Sequence, residues 1–114
     1  MRAALALLAL GAAGLAWAGP QALGALALRI GWDRAALALL EDPGARGVAW
    51  YRMGDHAQAD AAFARAGRSQ TYNRALSLAA TGDYPLSVAY FDAVLFANPA
   101  DEQARASRDR VAAL

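Results

Sequence analysis

The chain has no cysteine, no lysine and a single histidine, His56. Without cysteine it can form no disulfide, thiolate metal site, cysteine nucleophile or lipid-modified N-terminal cysteine. One histidine rules out a multi-histidine zinc site within one chain. Val, Ile and Thr are scarce, which leaves little material for sheet. Charged residues make up 18% of the chain and the net charge is +1, so there is no basic footprint for nucleic acid. There is no P-loop, no dinucleotide glycine fingerprint and no metal-ligand spacing. What remains is 114 residues, about one small domain, of which 58% are hydrophobic. That is too apolar for a disordered chain. Alanine takes 33 positions, which points to helices. Every basic residue is arginine, read first as compositional bias.

Met1-Arg2 is followed by a run without charge up to Arg29. Its first part, residues 3–18, reads AALALLALGAAGLAWA. A short positive start, an apolar stretch and the small-x-small end Ala16-Trp17-Ala18 are the parts of an export signal. Residues 1–18 are therefore expected to be a signal peptide, cleaved before Gly19-Pro20. The alternatives are an uncleaved anchor, since residues 3–28 are long enough to span a bilayer, and an ordinary buried Ala/Leu helix. Gly19-Pro20 and the polar Gln21 interrupt the span.

Beyond this segment, helical stretches of about 10–14 residues alternate with short breaks, and none shows a period-2 strand pattern. Residues 21–30 form a first helix closed by Gly31, and Asp33 is expected to cap the second, DRAALALLED. Asp42-Pro43-Gly44 is a break, followed by GVAWYRM. HAQADAAFARA runs to Gly67. Ser69 is placed to cap QTYNRALSLAAT. Tyr84-Pro85 opens LSVAYFDAVLFA, with proline in a tolerated first-turn position. Asn98-Pro99 ends it. The last helix, DEQARASRDRVAA, begins with acids that suit the helix dipole. Breaks this short turn neighbouring helices antiparallel.

Two stretches repeat. WYRMGDHAQADAAFARA at 50–66 aligns with LAATGDYPLSVAYFDAV at 78–94, a spacing of 28. Gly54-Asp55 matches Gly82-Asp83, His56 matches Tyr84, Ala59 matches Ser87, Phe63 matches Phe91 and Ala66 matches Val94. The glycine ends one helix where positive φ is easy, and the aspartate satisfies free N–H groups of the next. The small residue lets two helices approach, and the phenylalanine one turn on fills the space between them. Pro99 ends the second unit.

This pattern resembles the tetratricopeptide repeat (TPR). The second unit matches as Tyr72-Asn73, Gly82-Asp83-Tyr84, Ser87, Phe91, Leu95 and Pro99, and the first as Gly47, Trp50, Gly54-Asp55, Ala59, Phe63 and Ala66. The period is shorter than the usual roughly 34 residues, Ala75 stands at the second unit's helix-contact glycine, and no proline closes the first unit. Residues 43–110 carry the resemblance. It implies an all-α fold of antiparallel helical hairpins in a right-handed superhelix. The organisation would be leading helices at 19–42, which read as a degenerate hairpin, repeats at 43–67 and 68–99, and a capping helix at 100–114. More narrowly, Arg52 before the turn, the short link to Tyr72-Asn73 and the Asn98-Pro99-Ala-Asp tail resemble the TPR portions of bacterial Bat (aerotolerance) operon proteins. Those accompany von Willebrand factor A domains on the periplasmic side of the inner membrane.

No residue set suggests catalysis. His56 stands at the repeat's aromatic turn position and reads as a packing residue. Asp55 and Asp83 share one repeat position, which makes them caps and not an acid/base pair. Ser69, Ser77, Ser87 and Ser107 lack a nucleophile motif. Arg105 and Asp109, four apart, are expected to pair on a solvated helix face with Asp101, Glu102, Arg108 and Arg110 nearby. Binding is the better prospect. By the resemblance, a concave groove would be lined by Val48, Tyr51 and Arg52 from the first unit and Tyr72, Asn73, Leu76 and Ala80 from the second. Asn73 would hydrogen-bond a partner's backbone and Arg52 a carboxylate. The alternative for Tyr51 and Tyr72 is packing between hairpins. The expected function is a non-catalytic, exported, periplasmic or inner-membrane-anchored protein-interaction scaffold. It would need no cofactor or metal, would not bind nucleic acid, and would take a protein or peptide partner, conceivably a von Willebrand factor A protein. Two other readings are a membrane-anchored structural element, with the amphipathic helix at 33–41 on the bilayer surface, and a small hydrolase or metal binder dependent on His56.

Overall fold

The computed structural model describes residues 19–114, so the expected signal peptide or anchor lies outside the described residues. Among them the fold is all-α. Residues up to Glu41 and residues from Asp42 form two separate units.

In the first unit, α1 (Pro20–Arg29) packs against α2 (Asp33–Leu39). Pro20 occupies the first turn of α1, where its missing N–H is not needed. Asp33 does not cap α2. The cap position is Trp32, which has no side-chain cap bond, and Asp33 is the first helical residue. There its carboxylate still favours the positive end of the helix dipole.

In the second unit, α3 (Pro43–Arg52) starts four residues earlier than the apolar pattern of 47–53 suggests. The Asp42-Pro43-Gly44 break is itself a helix start: Asp42 accepts a hydrogen bond from the Ala45 N–H, and Pro43 sits at the first helical position. Next come α4 (His56–Ala66), a 3₁₀ turn (Arg68–Gln70), α5 (Thr71–Ala80), α6 (Tyr84–Ala97) and α7 (Glu102–Ala112). Each helix packs on its neighbours along the chain. Ser69 lies inside the 3₁₀ turn, and Gln70, without a side-chain cap bond, precedes α5. The tight turn brings its own backbone bonds, so no serine cap is required.

Three helix–helix turns share one construction. α1, α3 and α5 end on Gly31, Gly54 and Gly82, at φ of 86°, 84° and 89°. In each case the glycine N–H donates three residues back and the following N–H five residues back: Trp32 to Ala27, Asp55 to Trp50 and Asp83 to Leu78. This crossed pair of bonds satisfies carbonyls that the helix end would leave bare. The residue after each glycine also starts the next helix. Trp32, Asp55 and Asp83 hold nearly the same backbone angles, φ −85°, −90° and −85° with ψ 69°, 76° and 70°. Asp55 and Asp83 then accept from the N–H of Gln58 and Leu86.

Packing repeats with the turns. Seven residues before each turn glycine stand Gly24, Gly47 and Ala75; five after it, Ala36, Ala59 and Ser87; nine after it, Leu40, Phe63 and Phe91. All nine are buried. A methyl group on Gly47 would sit 2.5 Å from two ring carbons of Phe63, and one on Gly24 would sit 2.7 Å from Leu40 Cγ. These glycines therefore set how closely the paired helices approach. The leading stretch is thus a hairpin on the same plan, with Leu40 in place of phenylalanine and Trp32 in place of aspartate. In the third hairpin Ser87 replaces alanine, and its buried hydroxyl donates to the Ala75 carbonyl at 2.7 Å, so it carries no unmet polar group. Phe91 centres a cluster with Ala75 and Val111, which Tyr72, Leu76, Ala79, Val88 and Tyr90 flank.

Candidate functional site

Five of the seven groove residues expected from the sequence come together. Val48, Tyr51 and Arg52 on α3 and Asn73 and Leu76 on α5 line one hollow of about 220 Å³. Val48 and the pair Tyr51-Arg52 lie three and four residues apart, as do Asn73 and Leu76, so each helix offers one stripe. Phe63 of α4 also lines the hollow, although sequence reasoning assigned it to the core alone. It does both: the ring is 2% exposed, packs on Gly47 and shows an edge to the hollow.

Polar groups on the walls are held in place. Asn73 Nδ2 donates to Gln70 Oε1 at 2.7 Å, which fixes the amide. Tyr51 meets His56 edge to face, with ring centroids 4.6 Å apart. His56 is the first residue of α4, and its Nδ1 is buried without a hydrogen-bond partner among the described residues. The half-buried imidazole thus packs edge to face on Tyr51 at the turn.

Tyr72 and Ala80 are not brought into the hollow. Tyr72 faces the other way along α5. Its ring stands edge-on to Phe91 at 5.4 Å, and its hydroxyl lies 3.0 Å from Ser107 Oγ of α7. It therefore packs between the third hairpin and the last helix. Ala80, at the end of α5, is exposed and does not line this hollow. Tyr72 instead borders a larger depression of about 650 Å³, with Tyr90, Val94, Phe96 and Arg68. The signal for this second surface was the apolar character of α6 on two opposite faces, a pattern that periodicity assigns to a core.

Charges around the hairpins form a strap. Arg74 Nε donates to Asp60 Oδ1 at 2.9 Å, Nη2 reaches Oδ2 at 3.4 Å, and the guanidinium lies 4.7 Å from the Tyr90 ring centre. The hydrogen bond it donates to Asp60 holds the Arg74 pKa above its ordinary value. One side chain thereby ties α4, α5 and α6. On α7, Arg105 does not pair with Asp109. Its Nη2 donates to the Pro99 carbonyl at 2.6 Å, while Arg108 bridges Asp92 at 2.6 Å and Asp109 at 3.3 Å. The bare carbonyl before α7 and the acid on α6 were tertiary partners that an i,i+4 count does not see.

The serines are occupied structurally. Ser77 donates to the Asn73 carbonyl, Ser87 to the Ala75 carbonyl, and Ser107 meets Tyr72 and Arg110. Among the described residues no group of three or more His, Asp or Glu side chains could hold a metal ion. No described helix is long and apolar enough to cross a membrane. Compared with protein-family models, with curated proteins and with solved structures, the chain matches none.

Proposed function

We propose that this protein is a non-catalytic, TPR-like interaction scaffold that holds a peptide or protein segment against the hollow between α3 and α5. The observation that carries this reading is the hairpin plan shared by α3–α4 and α5–α6, with one turn geometry and one packing plan, and the hollow lined by α3 and α5, the first helix of each of these two pairs, together with Phe63 of α4. Stacked hairpins of this kind expose their first helices on the concave side. The hollow suits one apolar or aromatic side chain, seated on Phe63, Val48 and Leu76. Asn73 then meets the backbone of the bound segment, and Arg52 lies at the edge, where a carboxylate would be favoured.

The export reading rests on residues 1–18 and on their small-x-small end at Ala16–Ala18. With the resemblance to Bat-type proteins, it favours the periplasm and a von Willebrand factor A partner. The test is affinity capture from the cell envelope with the tagged full chain. Capture of a von Willebrand factor A protein, lost on Leu76→Arg and kept on Ala80→Arg, is the expected result. Equal capture by both variants refutes the hollow as the binding site. An N-terminal sequence of the isolated protein that begins at Met1 would favour the anchored structural element instead.

A further inference from the structure

α6 is apolar on two opposite faces. Ser87 and Phe91 point into the hairpin and are fully buried. At roughly 100° per residue, the opposite face carries Leu86, Ala89, Ala93 and Phe96. Their spacing of three, four and three residues is that of a helix–helix seam. All four are exposed, Phe96 to 92%. A helix apolar all round is normally covered all round. In the described residues α6 is covered only on its inner side, by α5 and α7.

We propose that the outer face of α6 is a docking surface for α6 of a second copy of this chain, the two helices running antiparallel about a two-fold axis at the level of Phe91. The order of sizes along the seam supports this occupant. The axis sets Leu86 of each copy opposite Phe96 of the other, and Ala89 opposite Ala93. Each end of the seam then holds one leucine and one phenylalanine, and the alanines allow close approach at the centre, so the gap between helices stays even. A parallel pair would put both phenylalanines at one end and splay the helices. Antiparallel helices also oppose their dipoles favourably. The charges agree as well. Asp92 flanks the seam next to the axis, and it is bonded to Arg108 of the same copy at 2.6 Å. Each Asp92 charge is thus already neutralised within its own copy where the axis brings the two together. At 14 residues, α6 is about 21 Å long. One face of that length buries less than the roughly 1,200–2,000 Å² of a standard stable interface, so the dimer is weak and forms at high local concentration.

The lack of cysteine makes a clean test possible, because no native thiol competes. Full-length Ala89→Cys and Ala93→Cys variants, differently tagged, are co-expressed and oxidised in the isolated cell envelope, and the products are separated without reductant. The expected result is a product of twice the chain mass, several-fold stronger for the mixed pair than for either variant alone, and lost when Phe96→Asp is added to both. Equal yields from a single variant would overturn the antiparallel register. Monomer only, or an adduct with a different protein, would overturn the second copy as occupant. Phe96→Asp should leave the helical circular dichroism of the chain unchanged, which separates loss of docking from loss of folding.

Discussion

Replacing Gly47 with alanine sets two effects of opposite sign against each other. In a free helix the change is favourable by about 1 kcal/mol, since glycine has more backbone freedom to lose. In this fold the added methyl lands 2.5 Å from two Phe63 ring carbons and 2.9 Å from a third. The ring is 2% exposed, so it has little room to retreat. Overpacking of that kind costs roughly 1–3 kcal/mol. At 2.5 Å the cost lies in the upper half of that range, about 2–3 kcal/mol, so the clash wins: we expect a net loss of about 1–2 kcal/mol, a fall in Tm of roughly 5–15 °C for a domain of this size. The assay is a thermal melt followed by circular dichroism, extended to a double-mutant cycle with Phe63→Leu. Phe63→Leu alone should cost about 1–2 kcal/mol, the loss of a few buried carbons. With both changes the methyl occupies space vacated by the ring, so the combined loss should fall short of additive by at least about 0.5 kcal/mol. A Gly47→Ala variant that melts higher than the parent, or a cycle that closes to zero, would show that the α3–α4 contact does not have this geometry.

Three further outcomes follow from the same contacts. Asp83→Ala removes the acceptor for the Leu86 N–H and should cost about 0.5–2 kcal/mol, with Asp83→Asn recovering most of it in a urea titration. Tyr72→Phe should lower stability by about 1 kcal/mol through loss of the Ser107 hydrogen bond, yet leave capture at the α3–α5 hollow intact; lost capture would return Tyr72 to the binding surface. Arg74→Lys keeps the charge but loses the two-pronged contact to Asp60 and the flat face over Tyr90, and should destabilise by about 1 kcal/mol. The Arg74 pKa is raised, so the strap's contribution is complete below the ordinary arginine value and is lost only as pH climbs past the raised one. An alkaline titration from pH 8 to 11 should therefore show no loss of stability that depends on Arg74.

The hairpin plan was legible where its residues were distinctive. Gly-Asp turns, buried phenylalanines and the aspartate caps repeat at a fixed spacing, and local backbone chemistry is enough to interpret them. The leading hairpin was legible only as a degenerate copy, because its signature survives only as offsets. Gly24, Ala36 and Leu40 stand at the same distances from Gly31 as Gly47, Ala59 and Phe63 do from Gly54, but the two most visible letters have changed to tryptophan and leucine. The turn tolerates this since its glycine supplies the geometry and the next residue needs only ordinary backbone angles. The misplaced groove residues have a similar cause. Tyr72 and Asn73 are adjacent on α5 and point about 100° apart, so tertiary partners decide which of the two meets the hollow. Asn73 reached the hollow; Tyr72 was claimed by Phe91 and Ser107.

What periodicity cannot do is say which apolar face finds a neighbour. α6 illustrates the limit, for its inner face and its outer face are equally good seams by composition. Ser87 is on the buried side and Phe96 on the exposed side, the reverse of what hydrophobicity alone would choose. The hairpin turn decides. Once Gly82 and Asp83 fix the direction in which α6 leaves α5, the residues five and nine positions after the glycine must face inward, whatever they are. A serine there survives because the Ala75 carbonyl is within reach. A phenylalanine at position 96 has no such geometric obligation, and in water it gains nothing from exposure. Turn geometry thus accounts for the inner face completely and for the outer face not at all, which is why that outer face is where a partner for α6 has to be sought.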